Sequence, residues 1–544
     1  MDYTKHFATR LRRLITPQSE AIPGTDQLEN SAGGYAFEVD RWDRLDRFLV
    51  LGSEGGTYYI GERELTVRNA RTVAALIEED GIRVVERAVE MSTSGRAPKN
   101  DPALFVLAMA AGIGDERTRA AALVAMPRAA RTATHLFHWL QFVQGFRGWG
   151  RAVRRAVAGW YTNKDAEQVA YQVLKYPSRD GWAHRDALRL SHARPPSTTH
   201  DLIFRFAVKG WEAVDGADGI DPEVMARFEA VRSLSDASPR DAAKVISEHG
   251  LVREMVPTEL LRHAVVWEAL LERMPLTALI RNLGVMTKVG LLVPMADAVA
   301  SVNRRITDHD ALRAARVHPI AVLAALKTYA AGRGARGAGQ WEPVAQIVDA
   351  LDSAFYRAFS NAPSTGRRTM LALDVSGSMT VGVAGMPYLS CREASAAMAL
   401  VTAATEPRHM FTAFTTGPYR ARGLNTGLRT LAISPRQRLD DVVRVTRKMP
   451  FGGTDCALPM VEALKKRWKV DVFVVYTDSE TWAGEIHPVQ ALRDYRERTG
   501  IAAKLVVVAM ASNGFSIADP DDGGMLDVVG FDSATPGLIA DFAK

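Results

Sequence analysis

Three stretches in the C-terminal third bring hard oxygen ligands to loop positions. Within Met370 to Met379, an uncharged apolar run passes straight into Asp374, Val375, Ser376, Gly377 and Ser378. A short apolar run closed by small polar residues reads as a buried parallel strand that delivers its polar groups at its C-terminal end. Open α/β sheets place their ligands at that end. Phe451, Gly452, Gly453, Thr454 and Asp455 put a hydroxyl on a glycine-rich turn, and Asp471 to Glu480 is a second apolar run, ending in Thr477 and Asp478. Asp374, Ser376, Ser378, Thr454 and Asp478 together offer two carboxylates and three hydroxyls. That donor set suits Mg²⁺, which takes octahedral oxygen ligands and few protein carboxylates. The plainer alternative is that Asp374 and Asp478 only cap helices that follow strands. Cys456 and Ala457, next after Asp455, are not expected to touch a metal. With no histidine inside the three loops, a Mg²⁺-dependent hydrolase built on Asp374 and Asp478 is a poor fit.

A second constellation is cationic. Arg147, Arg151, Arg154 and Arg155 fall at spacings that would share one helical face, with Trp149, Trp160 and Tyr161 nearby. Lys175 and Arg179 precede a turn, and Arg185, Arg189 and His192 follow at i, i+4 and i+7. Guanidiniums among aromatics suit phosphate contacts and base stacking; the alternative is a solvated helix face with core aromatics. His184 and His192 are too widely spaced for a helical zinc pair. The cluster is read as a surface for RNA.

The 544 residues allow several domains of ordinary size. Hydrophobic residues make up 47% and charged residues 24%, the balance of a globular chain with ample core. A formal net charge of +6 permits a nucleic-acid partner without requiring one. No apolar run is long enough to span a membrane, and Met1 to Lys5 has no apolar signal region. Two cysteines, Cys391 and Cys456, exclude a disulfide framework and fit a reducing cytoplasm.

The elements that must position these groups can be taken in order. Residues 1–25, with Arg10, Arg12 and Arg13, read as a lightly packed arm. Phe48 to Ile60 reads as a hairpin about Gly55 and Gly56, with loop chemistry before it from Asn30 to Tyr35. From Val67 to Leu351, Ala, Leu and Arg dominate and apolar residues recur at three and four. Helices are expected over 72–91, 102–112 (capped by Asp101), 115–126, 131–144, 150–161, 164–175, 185–192, 222–233, 239–249, 258–273, 275–283, 294–302 and 319–331. Short helices joined by short loops suggest a degenerate HEAT-like array, each pair burying its apolar face on its neighbours. Gly332 to Gly339 is a basic glycine run suited to a linker. From Arg367 onward strands (369–375, 410–415, 471–477, 503–510) alternate with helices (392–405, 436–448, 455–468, 487–499), the pattern of a doubly wound parallel sheet.

Asp374-x-Ser376-x-Ser378, the Gly452–Asp455 loop and the strand ending in Thr477-Asp478 resemble the metal-ion-dependent adhesion site of von Willebrand factor A-like domains. In such sites the metal keeps one position open for a partner's acidic group. Asn30 to Tyr59, Gly95 to Leu104, Gly148 to Arg151, Gly181 to Asp186, Met274 to Gly284 and Arg316 to Pro319 are similar to the TROVE module of the Ro autoantigen family, and the chain resembles a bacterial member. The resemblance implies a TROVE ring of HEAT-like helical repeats over 1–365 and an A-like α/β domain over 366–544. It implies a non-catalytic, monomeric protein that binds small noncoding Y RNA on the ring surface and single-stranded ends of misfolded or structured RNA in the ring hole. RNA quality control or stress response is the expected role. The family's Y-RNA lysine, arginine and histidine fall on Lys175, Arg179 and His192, with Pro177 altering the local helix end. Bacterial relatives imply a link to polynucleotide phosphorylase through the Y RNA. The competing expectation is a metal-dependent protein-adhesion scaffold with incidental RNA binding.

Overall fold

The computed structural model describes residues 15–334, 339–359, 364–383, 386–416, 427–450 and 452–544. Arg10, Arg12 and Arg13, part of the glycine run, and Phe451 lie outside the described residues.

From Arg41 to Arg357 the chain is a succession of short helices. Their starts follow from local chemistry. Asp115, Thr132, Asp165, Ser197, Asp221 and Ser238 each accept a backbone N–H of the first turn, and Pro222, Pro239 and Pro319 occupy first-turn positions where no N–H is needed. Asp101 is already inside its helix, and Asn100 takes the capping position instead. The long segment Glu62–Ser94 bends at Asp80, whose φ of −151° and ψ of 75° are not helical. Residues 258–273 are not one helix: a 3₁₀ turn at Leu260–Arg262 is followed by an α-helix only from Ala264, because His263 is extended, at φ −110° and ψ 129°.

Neighbouring helices bury their apolar stripes on one another, and the array closes on itself. His318, at the N-terminus of Pro319–Ala330, donates from Nε2 to the Arg96 carbonyl at 2.9 Å, while its Nδ1 accepts from the Ile320 N–H at 3.1 Å. Gly95 ends the segment Glu62–Ser94 at φ +76°, and a Cβ there would meet the Arg316 Cβ at 3.1 Å. Glycine therefore serves both the left-handed helix end and the close approach that shuts the ring. The Arg96 guanidinium reaches across to Asp532 at 2.5 Å, and Asp532 is only 1% exposed, so the A-like domain is locked to the same closure.

The A-like domain is built on a six-stranded sheet in the order Met525–Val529, Lys504–Ala509, Val472–Thr477, Thr369–Asp374, His409–Phe414, Leu428–Leu431. The pairs are parallel except the last, where Leu428–Leu431 runs antiparallel at the edge. Thr369–Asp374 and Val472–Thr477 are buried along their whole length, as strands covered on both faces must be. Of the two outer strands, Leu428–Leu431 exposes Arg429 and Thr430, and Met525–Val529 is fully buried only at Met525 and Val528, so neither is covered along its length as the inner ones are.

Two expectations for the N-terminal region are corrected. Phe48 to Leu51 is not a hairpin strand but the end of the helix Arg41–Leu51, which starts on the Asp40 side chain and turns Leu45, Phe48 and Leu49 into the core. The hairpin lies earlier, pairing Gln27–Glu29 with Tyr35–Glu38 around Asn30 to Gly34, and Phe515–Ser516 adds a third strand to it. Residues 15–25 are not a lightly packed arm. Gln18 and Ile22 are 0% and 4% exposed. The Gln18 Nε2 donates to Asp455 Oδ1 at 2.8 Å and to the Ile486 carbonyl at 2.7 Å. The segment's polar groups find partners on the A-like domain instead of solvent.

Candidate functional sites

The oxygen-rich loops come together because of sheet register. Leu373 lies opposite Tyr476 in the parallel pair, so Asp374 and Thr477 leave the sheet side by side. Asp374 Oδ2 accepts from the Thr477 hydroxyl at 2.7 Å and Oδ1 accepts from the Ser376 N–H at 2.9 Å. The Ser376 and Ser378 hydroxyls are 3.1 Å apart. The Gly377 N–H donates to the Gly452 carbonyl at 3.2 Å, which binds the third loop to the first. Asp374, Ser376, Ser378, Thr454 and Asp478 are 0%, 1%, 2%, 1% and 5% exposed.

The electrostatics of the group are one-sided. Burial raises the Asp374 carboxyl above its ordinary range, against hydrogen bonds from Ser376 and Thr477 and the nearby Arg392 charge. Burial, then Asp374, then Glu480 raise Asp478 well above that range. Two buried carboxylates ringed by hydroxyls are a donor set of the kind that could hold a hard cation. Among the described residues no group of three or more His, Cys, Asp or Glu could hold a metal; this site has two carboxylates and otherwise hydroxyl donors. The Cys456 thiol sits behind it, 3.5 Å from the Thr477 hydroxyl and pushed up by burial.

The helical region adds a group with no sequence signal. Tyr59 is pushed up to about 12 by burial and then by Asp478, Glu480 and Asp374. Its loop is tied to the A-like domain by the Ser512 hydroxyl, which donates to the Gly52 carbonyl at 2.5 Å.

The cationic residues are arranged by a short hairpin. Lys175 ends the helix Ala166–Lys175. Ser178–Arg179 then pairs with Trp182–Ala183, and Asp180 (φ 53°) and Gly181 (φ 79°) form the two-residue turn. Positive φ at both positions is what an Asp-Gly turn of this kind requires, and that dipeptide is the signal that could have found it. The hairpin leads into His184–Ser191, which packs on Arg151–Thr162. His184 pins the arrangement: Nδ1 lies 2.9 Å from the Tyr161 hydroxyl and Nε2 3.0 Å from the Tyr176 carbonyl. Burial pushes it down to about 4, so it is neutral.

Arg151, Arg154, Arg155, Arg179, Arg185, Arg189 and His192 are exposed on this scaffold. Lys175 is half-buried, with its ammonium 2.8 Å from the Tyr171 hydroxyl and 5.0 and 5.1 Å from the Tyr171 and Tyr176 ring centroids. Burial works to lower its pKa, but the two tyrosines outweigh burial and raise it. Arg147 is corrected. It follows the end of Ala133–Phe146 in extended backbone and donates to the Ala111 carbonyl at 2.8 Å, so it shares no helical face with Arg151 and Arg154. Gly148 and Gly150 separate the two helices. His192 is likewise past the helix end, in the left-handed region at φ 52°. The aromatics are also corrected as stacking platforms: Trp160 and Tyr161 are 0% exposed, and Trp149 packs against Trp182 at 5.7 Å.

With that geometry in view, comparison with known proteins is direct. Residues 28–216 and 238–328 match the TROVE domain, and residues 368–543 match the Ro60 vWA domain. The chain is 41% identical over 551 residues to a Deinococcus radiodurans protein named RNA-binding protein RO60, covering 99% of each. It is 38% identical over 590 residues to a Caenorhabditis elegans protein of the same name, covering 95% of this chain and 90% of that one. The crystal structure of the Deinococcus radiodurans RO (RSR) protein is similar with a TM-score of 0.69 and 41% identity, over 93% of this chain and 99% of that chain.

Proposed function

The chain belongs to the Ro60 family, with a TROVE domain and a Ro60 vWA domain, and on that premise we propose that it is a non-catalytic RNA-binding ring. Its structured ligand is a small noncoding Y RNA held on the outer surface around the Asp180–Gly181 hairpin. Single-stranded ends of misfolded or structured RNA enter the ring hole, and the protein works as a monomer in cytoplasmic RNA quality control or stress response. Polynucleotide phosphorylase is its proposed partner, bridged by the Y RNA.

The observation that carries this reading is the cationic surface itself. Arg151, Arg154, Arg179, Arg185, Arg189 and His192 are exposed on a hairpin and two packed helices, with Lys175 beside them. The neighbouring tryptophans are turned inward. A surface of exposed guanidiniums without exposed rings suits phosphate-backbone contact more than base stacking. The test is sequencing of RNA that co-purifies from the protein's own cells, beside a Lys175→Ala, Arg179→Ala, His192→Ala variant. One abundant small RNA lost in the variant supports the reading; its retention by the variant rejects the surface.

The second reading, protein adhesion through a metal, is favoured by the buried carboxylate pair. In it Mg²⁺ is held by Asp374, Ser376, Ser378, Thr454 and Asp478 and captures an acidic group of a partner. Exposed Tyr58 and Trp482, with the partly buried Tyr59, supply apolar surface around it. The two readings use different domains and are compatible. A partner whose capture survives both chelation and Asp374→Ala removes the second.

A further inference from the structure

A cavity of about 650 Å³ lies on the seam between the two domains, away from the hairpin surface. Lys327 and Thr328 line it from the end of the helix Pro319–Ala330, and Arg333 from the turn beyond. Tyr388, Arg392 and Arg447 line it from the A-like domain. The helix Cys391–Thr405 points its N-terminus at this space.

The charges do not balance. Glu393, 3% exposed, is the acidic residue of the lining against Lys327, Arg333, Arg392 and Arg447. One of its oxygens is taken by Lys327 at 2.5 Å and by the Ser390 N–H and hydroxyl, both at 2.9 Å. Lys327 and Glu393 therefore neutralise each other, and Arg392 is tied to the carbonyls of Met449 and Ser376 at 3.0 and 3.3 Å. Arg333 and Arg447 form no ion pair among the described residues. The other Glu393 oxygen, Oε1, is buried with no hydrogen-bond partner among them. A buried acceptor without a donor is costly, and an occupant that brings one relieves it.

These features specify an occupant with an anionic end and a hydrogen-bond donor. The N–H groups of Ser390, Cys391 and Glu393 are already taken by Glu393, Val381 and Ser390, so it is the guanidiniums of Arg333 and Arg447 that favour a phosphate. The volume is in the range of small-ligand sites and exceeds what a bare phosphate fills. Tyr388 is 37% exposed and presents a ring on which a base can stack. A ribose hydroxyl or base N–H can serve Glu393 Oε1. We propose that this seam cavity binds a nucleotide, its phosphate between Arg333 and Arg447 and its base on Tyr388.

The nucleotide can be free or the phosphorylated terminus of an RNA strand; only the second source rests on the RNA-binding reading. The test is titration of the full-length protein with 5′-AMP, with inorganic phosphate, and with a short single-stranded RNA carrying a 5′-phosphate or a 5′-hydroxyl. AMP binding is expected to weaken at least tenfold in Arg333→Gln, Arg447→Gln. Tyr388→Ala is expected to weaken AMP and leave inorganic phosphate unchanged. Lys175→Ala, Arg179→Ala is expected to leave AMP unchanged, which separates failure here from failure of the RNA surface. AMP equal to phosphorylated RNA identifies the free nucleotide. Phosphorylated RNA at least tenfold tighter than both AMP and the hydroxyl RNA identifies the strand terminus. No binding of AMP or phosphorylated RNA, or binding unaffected by the double arginine variant, overturns the proposal.

Discussion

At Asp478 and Asp374 the cost of burying two like charges is visible in the raised carboxyls. Removing one charge relieves the repulsion, so without divalent metal Asp478→Asn is expected to melt no lower than wild type. If the site takes Mg²⁺ as in the second reading, adding Mg²⁺ is expected to stabilise wild type by mass action, several degrees at a large excess over Kd, and to leave the variant unmoved. Equal Mg²⁺ shifts in both proteins, read by thermal melting, would contradict the assigned ligands. His184 and His318 make a different pH statement, because burial holds each at about 4, below the ordinary 6.5. The unfolded chain then binds more protons between those values. Stability is full above about pH 6.5 and falls as pH drops toward 4, by on the order of 3 kcal/mol per histidine. Denaturant melts at pH 7 and pH 5 check this, and His184→Gln is expected to remove about half of the histidine contribution, His318 retaining the rest. The gathering of Asp374, Ser376 and Ser378 beside Thr477 was legible because Asp-x-Ser-x-Ser ends an apolar strand. The Tyr59 neighbourhood was not, since nothing local to Tyr59 points to a carboxylate pair in another domain.

The hairpin between Lys175 and His184 fixes where Arg179 stands. Gly181 is at φ +79°, and a Cβ added there would meet nothing within 4 Å, so Gly181→Ala adds backbone strain without a clash. The expected cost is about 1 kcal/mol of stability, with RNA affinity reduced about as much as by Arg179→Ala; calorimetry and a filter assay measure the two. Most helices were legible from caps and apolar spacing: Pro222–Ser233 and Pro239–His249 begin on a capping residue followed by proline. The misreadings have local causes. Glycines around Phe48 to Ile60 suggested a turn, while the Asp40 cap and the Leu45, Phe48 and Leu49 stripe made a helix. Arg147 matched a helical spacing that Gly148 and Gly150 interrupt. Edge strand Leu428–Leu431 shows no apolar run because Arg429 and Thr430 are exposed, and Asp527 interrupts the run of Met525–Val529.

Across the whole molecule, closure depends on contacts between residues far apart in sequence. His318 meets Arg96, Arg316 meets Gly95, and Arg96 meets Asp532. No local pattern announces such pairs, although the two-domain order was plain from the change between helical periodicity and strand–helix alternation. Arg96→Ala leaves Asp532 buried beside a vacated partner and is expected to destabilise the protein by roughly 3 kcal/mol. Hydrogen exchange should accelerate at residues 92–100, 316–320 and 530–535 together; acceleration confined to one of these segments would argue against a shared clasp.

The most direct test of the RNA surface is the salt dependence of binding to the co-purified RNA. Filter binding between 50 and 200 mM salt compares wild type with Lys175→Ala, Arg179→Ala. If both cations contact phosphate, the variant binds more weakly, and its slope of log affinity against log salt is shallower by about 2, about 1 for each lost contact. An unchanged affinity with an unchanged slope would show that RNA, if bound, is held elsewhere.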